Sequence, residues 1–344
     1  MGTQGERDTA VLNTVVIQYI LTGEPVGSRT VAKKSGLALS AATIRNLMVD
    51  LEEQGFLTQP HTSAGRIPTP LGFRYYVDHI LPTQDLGVAV RKQIESGFIP
   101  PATELQDLLR QTSRILSAVS GHLAIVRAPR LGATRIRHIQ FIDMGGKNIL
   151  VVLVSQDGLV VNRFIESEEQ FSQDQLDKFS RYLNSLFQNL TLVEARSRVV
   201  AQIEEEKSRF DTLLPQALSL SQQALQDEDG GELYIEGTSQ LLGYPEFAQI
   251  DKIRALFATF EEKHQLIDLL DRSLEAKGVQ VFIRPEGHFP DIELSLVASA
   301  YQRGQSPAGS LAVMGPMRMD YARVVPVVKY TAYLVSVLLN KLQM

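Results

Sequence analysis

Residues 25–70 contain two helical patterns followed by turn-forming residues, and this order constrains the fold more than any other part of the chain. The first pattern begins at Ser28, a good helix-capping residue, and ends at Gly36, which lacks a Cβ and tolerates left-handed backbone. Ser40 is expected to cap the second pattern. Its apolar residues recur at the spacing of one buried helix face: Ile44, Leu47, Met48 and Leu51. This order predicts a helix-turn-helix.

The stretch after the second helix predicts a wing. Residues 56–58 and 66–67 are typical of two short strands, and the loop between them is rich in turn formers. Its small residues and Arg66 would let backbone amides and a guanidinium approach phosphates or a minor groove. The second helix also carries the small and polar face that a major groove requires: Ala42, Arg45, Asn46 and Val49. We therefore expect residues 1–82 to form a winged helix-turn-helix DNA-binding domain.

The charge of this domain is balanced overall and basic only locally. Residues 1–82 hold seven basic and seven acidic residues, whereas the stretch from Val26 to Tyr76 holds six and three. The whole chain has 34 basic and 39 acidic residues, so the remainder carries the negative excess. We expect a local electrostatic footprint on DNA and a modest salt dependence per subunit.

The composition excludes several classes of function. The chain has 344 residues, 44% hydrophobic and 21% charged, which suffices for two or three separate cores. It has no cysteine, which excludes disulfides, thiolate zinc sites and a cysteine nucleophile. Its six histidines form no metal-binding pair, and nucleophile-elbow, dinucleotide and Walker motifs are missing. We expect no enzyme activity, metal or cofactor, and the lack of a signal core or apolar span predicts a cytoplasmic protein.

The rest of the chain alternates between helical and strand patterns. Residues 83–120 are typical of connecting helices, and the pattern changes at His122. From there β-branched runs predict strands, with hairpin turns at 145–148 and 157–158. Helical spacing then occupies about 172–229.

Strand patterns resume near Gly278, which indicates one sheet interrupted by an insertion. The predicted fold class is therefore α+β multidomain. We expect a GAF-like α+β domain formed by 121–168 and 247–344 and interrupted by an inserted helical domain at 169–246. That insertion either covers the sheet as a helical hairpin or serves dimerisation.

Two long motifs match one known family. The first is VGSRTVAKKSGLALSAATIRNLMVDLEEQGFLTQPHTSAGRIPTPLGFRYYVD, and the second is SLVASAYQRGQSPAGSLAVMGPMRMDYARVVPVV. Through these motifs and their spacing, the chain resembles the heat-inducible transcription repressor family, HrcA, over nearly its whole length, although the middle third matches mainly by position and character. The resemblance implies a GAF-like domain, an inserted dimerisation domain and an inverted-repeat operator before chaperone operons. It also implies a GroEL-type chaperonin that keeps the repressor active.

The candidate functional residues follow from these expectations. DNA contacts are expected from the two helix N-termini and the wing: Ser28, Arg29, Ser40, Ala41, Ala42, Thr43, Arg45, Asn46, His61, Thr62, Ser63 and Arg66. Homodimer contacts are expected from a helical stripe of the insertion: Leu176, Phe179, Leu183, Leu186 and Phe187.

Two alternatives to a DNA-binding repressor remain open at this point. A ligand-sensing regulator would use a GAF-like pocket near Tyr301, Arg318, Asp320 and Tyr321. The plainer interpretation of that motif is a turn before a helix, with Asp320 as its cap and Arg318 ion-paired. A protein-interaction scaffold would use the winged fold without DNA.

Overall fold

The computed structural model divides into two compact units, which are described separately. The first contains residues 1–128, 233–302 and 309–342, and the second contains 129–232, 303–308 and 343–344. The structure describes the following residues: 4–62, 64–81, 85–99, 102, 104–129, 135–156, 160–167, 169–187, 189–191, 194–195, 197–199, 218, 220–221, 232–247, 254, 263–285, 288, 292–304 and 306–342.

The first unit begins with three helices and a two-stranded antiparallel ribbon. The helices are α1 (Gln4–Thr22), α2 (Ser28–Lys34) and α3 (Ala41–Glu53), and the strands are β1 (Leu57–Thr58) and β2 (Ile67–Pro68). The helices share a core of buried apolar residues: Val11, Leu12, Val15, Val31, Ile44, Leu47, Met48 and Leu51. One local expectation is wrong, because Gly27 and not Ser28 occupies the N-cap of α2.

A fourth helix follows the ribbon directly. This helix, α4 (Pro70–Tyr75), continues into a π-helical turn at Tyr76–Ile80. Thr69 caps it, because its Oγ1 accepts a hydrogen bond from the Gly72 amide at 3.1 Å. A Cβ at Gly72 would lie 2.2 Å from the Phe56 carbonyl oxygen, so the close approach of α4 to the start of the ribbon requires glycine. The next helices are α5 (Val88–Gly97) and α6 (Leu105–Ser120).

A five-stranded sheet completes the first unit. In spatial order its strands are β7 (Leu233–Glu236), β3 (Leu123–Arg127), β10 (Ser306–Pro316), β9 (Leu294–Arg303) and β8 (Val279–Ile283). The accompanying helices are α8 (Thr238–Leu242), α9 (Lys263–Glu275) and α10 (Tyr321–Lys341). Leu266, Leu269 and Leu270 of α9 pack into one core with sheet residues such as Leu296.

Helix α10 is the most apolar of the described helices that have 18 or more residues. It passes a length and composition test for crossing a membrane, which we did not expect from the sequence. The helix packs against α6, and its Val324, Val328 and Val335 are buried. Core helices of soluble proteins pass the same test, so one such helix is weak evidence for a membrane span.

The second unit has its own antiparallel sheet, covered on one face by a helix. Its strands, in order, are β4 (Ile136–Asp143), β5 (Asn148–Ser155) and β6 (Val160–Glu166), and the helix is α7 (Gln173–Leu186). The turn predicted at 145–148 joins β4 to β5, and Gly145 and Gly146 both have positive φ there. The turn predicted at 157–158 lies outside the described residues.

This second sheet corrects the predicted domain boundaries. We expected residues 121–168 to belong to the GAF-like domain and 169–246 to the insertion, but only β3 of the first segment joins the five-stranded sheet. Strands β4, β5 and β6 pair with one another, whereas β7 pairs with β3. The insertion therefore runs from 129 to 232. It is a separate unit because its sheet and α7 bury each other's apolar faces.

The residues predicted for dimerisation lie inside this core and are not accessible to a partner. Leu176, Phe179, Leu183 and Phe187 are at most 3% exposed, and Leu186 is partly buried against the same cluster. A second copy of the chain could not reach them while the unit stays folded. Helix α7 thus covers a sheet of its own unit, and a dimer formed through the insertion would use other residues.

Candidate nucleic-acid interface

Helix α3 presents a small and polar face to solvent. Ser40 caps the helix, with its Oγ accepting a hydrogen bond from the Thr43 amide at 3.1 Å. The buried apolar stripe fixes the orientation of the helix, while Ala41 is half-buried. The opposite side is exposed: Ala42, Thr43, Arg45 and Asn46. A helix held in this way can place its first two turns in a major groove.

Three cations on α2 and α3 are not neutralised. Arg29, Lys33 and Arg45 are exposed, and none forms an ion pair within the part of the chain that the structure describes. Lys34, in contrast, donates to the Gln18 side chain at 2.5 Å. The N-terminus of α3 adds partial positive charge from its unpaired amides. The surface of these two helices is therefore locally positive, although the domain as a whole is not.

Lys33 was not among the residues predicted to contact DNA. Its sequence signal, a lysine in the last turn of a short helix, is shared by many solvated lysines. Only its exposure on the same helix as Arg29 identifies it as a candidate. Ser28, which was predicted, is half-buried at the start of that helix.

The ribbon is hydrogen-bonded to the segment before α2. Val26 and Arg66 exchange two backbone hydrogen bonds of 2.9 Å each. A Cβ at Gly65 would lie 2.4 Å from the Val26 carbonyl carbon, so no other residue fits without moving the backbone. The ribbon is therefore fixed to the helices and moves together with them.

The loop at the tip of the ribbon is ordered by a side chain that the sequence analysis did not select. The Gln59 amide donates to the carbonyls of Thr62 and Ala64, both at 2.9 Å. His61 and Thr62 are exposed at the tip, as a DNA contact requires. Ser63, which was also predicted to contact DNA, lies outside the described residues.

Arg66 has a different position from the one expected. Its guanidinium forms an ion pair with Glu52 at 2.8 Å, and its side chain is only 14% exposed. The ion pair ties the ribbon to the last turn of α3. A phosphate contact by Arg66 would require this pair to open, so the geometry favours a role in holding the ribbon.

The residues considered for a ligand pocket have internal partners instead. Tyr301 is fully buried and donates to the Arg127 carbonyl at 2.6 Å, and burial raises the pKa of its hydroxyl. Asp320 caps α10 by accepting from the Arg323 amide. Arg318 forms a bidentate ion pair with Glu246. The plainer interpretation of this motif, with Asp320 as the cap and Arg318 ion-paired, is therefore confirmed.

The described residues contain no group of three or more His, Asp or Glu side chains that could hold a metal ion. A shallow groove lies on the second unit, beside α7. Its lining residues include His138, Asp174, Lys178 and Arg181. These groups lie on an open surface, which is typical of a solvated helix face.

Comparisons with known proteins give one consistent result. Residues 106–325 match the family model described as the HrcA protein C terminal domain. The chain is 48% identical over 336 residues to the heat-inducible transcription repressor HrcA of Geobacter sulfurreducens, covering 97% of this chain and 98% of the relative. It is 44% identical over 344 residues to the repressor of the same name from Syntrophobacter fumaroxidans, covering 99% of both.

One solved structure is similar over the full length. A crystal structure of a hypothetical protein at 2.2 Å resolution is 24% identical, with a TM-score of 0.62 and coverage of 98% of each chain. At this identity the likeness shows the fold alone. It supports a mixed α+β chain of several domains.

Proposed function

The chain belongs to the HrcA family of heat-inducible transcription repressors, and on that premise we propose that residues 4–81 are a winged helix-turn-helix domain that reads operator DNA with α3. The observation that carries the proposal is the exposed face of α3, on which Arg45 and Asn46 have no partner among the described residues. A repressor needs such free donors at a base edge.

The chemistry of these side chains suggests their roles. Arg45 would donate two hydrogen bonds to a guanine in the major groove, and Asn46 would pair with an adenine. Arg29 and Lys33 would neutralise phosphates, which sets position and not sequence. The exposed His61 and Thr62 would bring the tip of the ribbon, acting as the wing, close to the backbone.

We further propose that the five-stranded sheet and its helices form a GAF-like body. The body is interrupted by the second unit between β3 and β7, which are neighbours in the sheet. The insertion thus leaves and re-enters the body at adjacent strands without disturbing its pairing.

The proposed homodimer is supported by the outer face of the second sheet. Phe164 is 75% exposed and Val160 is 55% exposed, although both are large apolar residues. The pairing of the strands places them on the side opposite the core. Four further apolar residues lie on that face, Ile142, Leu150, Val152 and Val154, together with the polar residues His138, Gln140 and Asn162. Large apolar residues exposed on one face mark interfaces in soluble proteins.

A second copy of the chain is the partner that fits this outer face. A two-fold interface uses the same patch on both subunits, and two flat sheets can pack face to face. Two copies would also carry two α3 helices, which an inverted-repeat operator requires. The same patch would be exposed on a newly made monomer, where a GroEL-type chaperonin would hold it until the dimer forms.

Operator binding can be tested directly by fluorescence anisotropy. The labelled duplex would carry an inverted repeat from a chaperone promoter, and its control would be a scrambled duplex of the same composition. We expect preferential binding to the inverted repeat, increased when the chaperonin is added during refolding. Equal affinity for both duplexes would contradict the proposed function, and binding without dependence on the chaperonin would remove only that partner.

The dimer surface can be tested with a pair of matched changes. Phe164→Ser should give a folded monomer in analytical ultracentrifugation, because it removes an exposed apolar contact. Leu21→Ser changes a residue that is 69% exposed elsewhere and should leave the dimer intact. A Phe164→Ser protein that stays dimeric at the lowest measurable concentration would exclude this face.

A further inference from the structure

The DNA-binding module, residues 4–81, is held on the body by an aromatic chain. Tyr19 of α1 and Phe73 of α4 have ring centroids 6.2 Å apart, and Phe73 lies at the same distance from Tyr321 of α10. Phe73 and Tyr321 are fully buried. The Arg74 guanidinium adds a hydrogen bond of 2.5 Å to the Val281 carbonyl on β8. These contacts join the module to the body on the side of α4.

An ion pair lies beside these aromatic rings, at the end of α1. Arg318 and Glu246 form a bidentate pair whose side chains are only 17% and 27% exposed. The Arg318 guanidinium lies over the Tyr244 ring, 5.7 Å from its centroid. Buried bidentate pairs are directional, because two parallel hydrogen bonds fix the plane of the guanidinium.

The module contacts this ion pair through the C-terminus of α1. A Cβ at Gly23 would lie 3.4 Å from the Arg318 guanidinium carbon, and Gly23 ends the helix with a positive φ of 69°. A cation at that position is favoured by the partial negative charge of the helix end. The nearby charges also reach Tyr19, whose pKa is raised first by burial and then by the Glu246 carboxylate.

From this geometry we propose that Arg318 and Glu246 are positioning residues that fix the angle of the DNA-binding module on the body. The pair joins Glu246 to the turn before α10, and the Arg318 guanidinium lies against Gly23 at the C-terminus of α1, so that the two residues act as a latch. The latch sets where α3 points and hence, in a dimer, how far apart two α3 helices lie. The distance between two α3 helices rests on the proposed function, whereas the direction of α3 in one chain does not.

The absence of native cysteine makes the angle measurable. Glu53→Cys on α3 and Lys329→Cys on α10 place two spin labels at exposed sites, one on the module and one on the body. Labelled chains diluted into excess unlabelled protein report the distance within one chain. Pulsed electron resonance would then compare the parent with Glu246→Gln, which keeps the shape of the side chain, and with Arg318→Ala.

We expect one narrow distance distribution in the parent and a clearly broader one in both latch variants. The matched control is Arg114→Ala, which removes an exposed Arg–Glu pair of 3.2 Å to Glu236, away from the module. It should leave the distribution narrow. Unchanged distributions in the latch variants, or equal broadening in the control, would overturn the proposal. Glu246→Gln decides the matter if Arg318→Ala does not fold.

Operator spacing gives a second readout that loss of stability would not produce. Lengthening the spacer of the inverted repeat by one base pair moves the half-sites apart by about 3.4 Å. The parent should lose about tenfold in affinity on the longer site, and the latch variants should discriminate less between the two sites. Full discrimination in the variants would overturn the role in spacing. Failure of the proposed function would differ, because the parent itself would show no sequence preference while the distances would still report on the latch.

Discussion

Helices α3 and α7 show the same sequence signal and use it in different ways. Each begins after a capping serine, Ser40 or Ser172, and each buries an apolar stripe. On α3 the polar side chains Arg45 and Asn46 face solvent without partners among the described residues. On α7, polar side chains instead form hydrogen bonds within the second unit.

The polar face of α7 forms hydrogen bonds with β4 that a neighbouring strand would otherwise form. The Asn184 amide accepts a hydrogen bond from the Ile139 amide and donates one to the Ile139 carbonyl, both at 2.8 Å. Ser180 accepts from the Phe141 amide at 3.0 Å, and Gln173 accepts from the Asp143 amide at 2.9 Å. These bonds cover the outer edge of β4, which would otherwise offer unpaired backbone groups to another chain. A polar helix face therefore indicates a ligand only when its donors and acceptors are free.

The largest expected effect is a loss of stability, and it distinguishes α7 from α3. Asn184→Ala leaves an amide and a carbonyl of β4 without partners beside a buried residue, which should cost about 3 kcal/mol of unfolding free energy in the second unit. Chemical denaturation followed by circular dichroism measures this loss. Lys178→Ala, on the exposed part of the same helix, is the control and should change nothing. An Asn184→Ala protein as stable as the parent would show that the edge of β4 needs no cover.

The reverse behaviour is expected on α3. Arg45→Ala should lower operator affinity by about 1 to 3 kcal/mol per half-site, roughly fivefold to 150-fold, because a bidentate contact with a base is lost. Its unfolding free energy should stay within about 0.5 kcal/mol of the parent, since Arg45 has no internal partner. Anisotropy on specific and scrambled duplexes provides the measurement. Equal losses on both duplexes would assign Arg45 to the phosphate backbone.

The two capping serines offer a matched pair with a smaller effect. Ser40→Ala and Ser172→Ala should each cost about 1 kcal/mol of stability, since Ser40 accepts from the Thr43 amide and Ser172 forms a capping box with Gln175. Only Ser40→Ala should also weaken operator binding, because only α3 is proposed to touch DNA. If Ser172→Ala weakened binding equally at concentrations where the dimer persists, the two helices would not differ in function.

Local signals were enough to predict helices α2 and α3 and the ribbon that follows them. Gly36 and Gly55 end the predicted helices, and both have positive φ in the structure. The strands of the ribbon follow from turn formers a few residues apart, so nearest neighbours in sequence are also neighbours in space. The exposed face of α3 then follows from its period of 3.6 residues.

Pairing between distant segments could not be predicted in this way. Strands β3 and β4 are consecutive in the chain, yet they belong to different sheets, because β3 pairs with β10 and β7. The apolar stripe of α7 has the same sequence pattern whether its own sheet or a second copy of the chain covers it. Likewise, nothing in the sequence near Arg66 or Arg318 identifies Glu52 or Glu246 as the partner. Charge pairs and sheet order are properties of the fold and not of local pattern.

The smallest expected effect concerns salt and tests whether the positive surface of α2 is used. Each phosphate contact contributes about 0.9 to the slope of log affinity against log salt. Lys33→Gln should therefore lower that slope by about 2 in a dimer, which carries two copies of the residue. The control is Lys178→Gln on α7, which removes an equally exposed lysine and should leave the slope unchanged. A slope that responds to both changes would mean that net charge, and not the position of the cation on the DNA-binding module, sets the attraction for DNA.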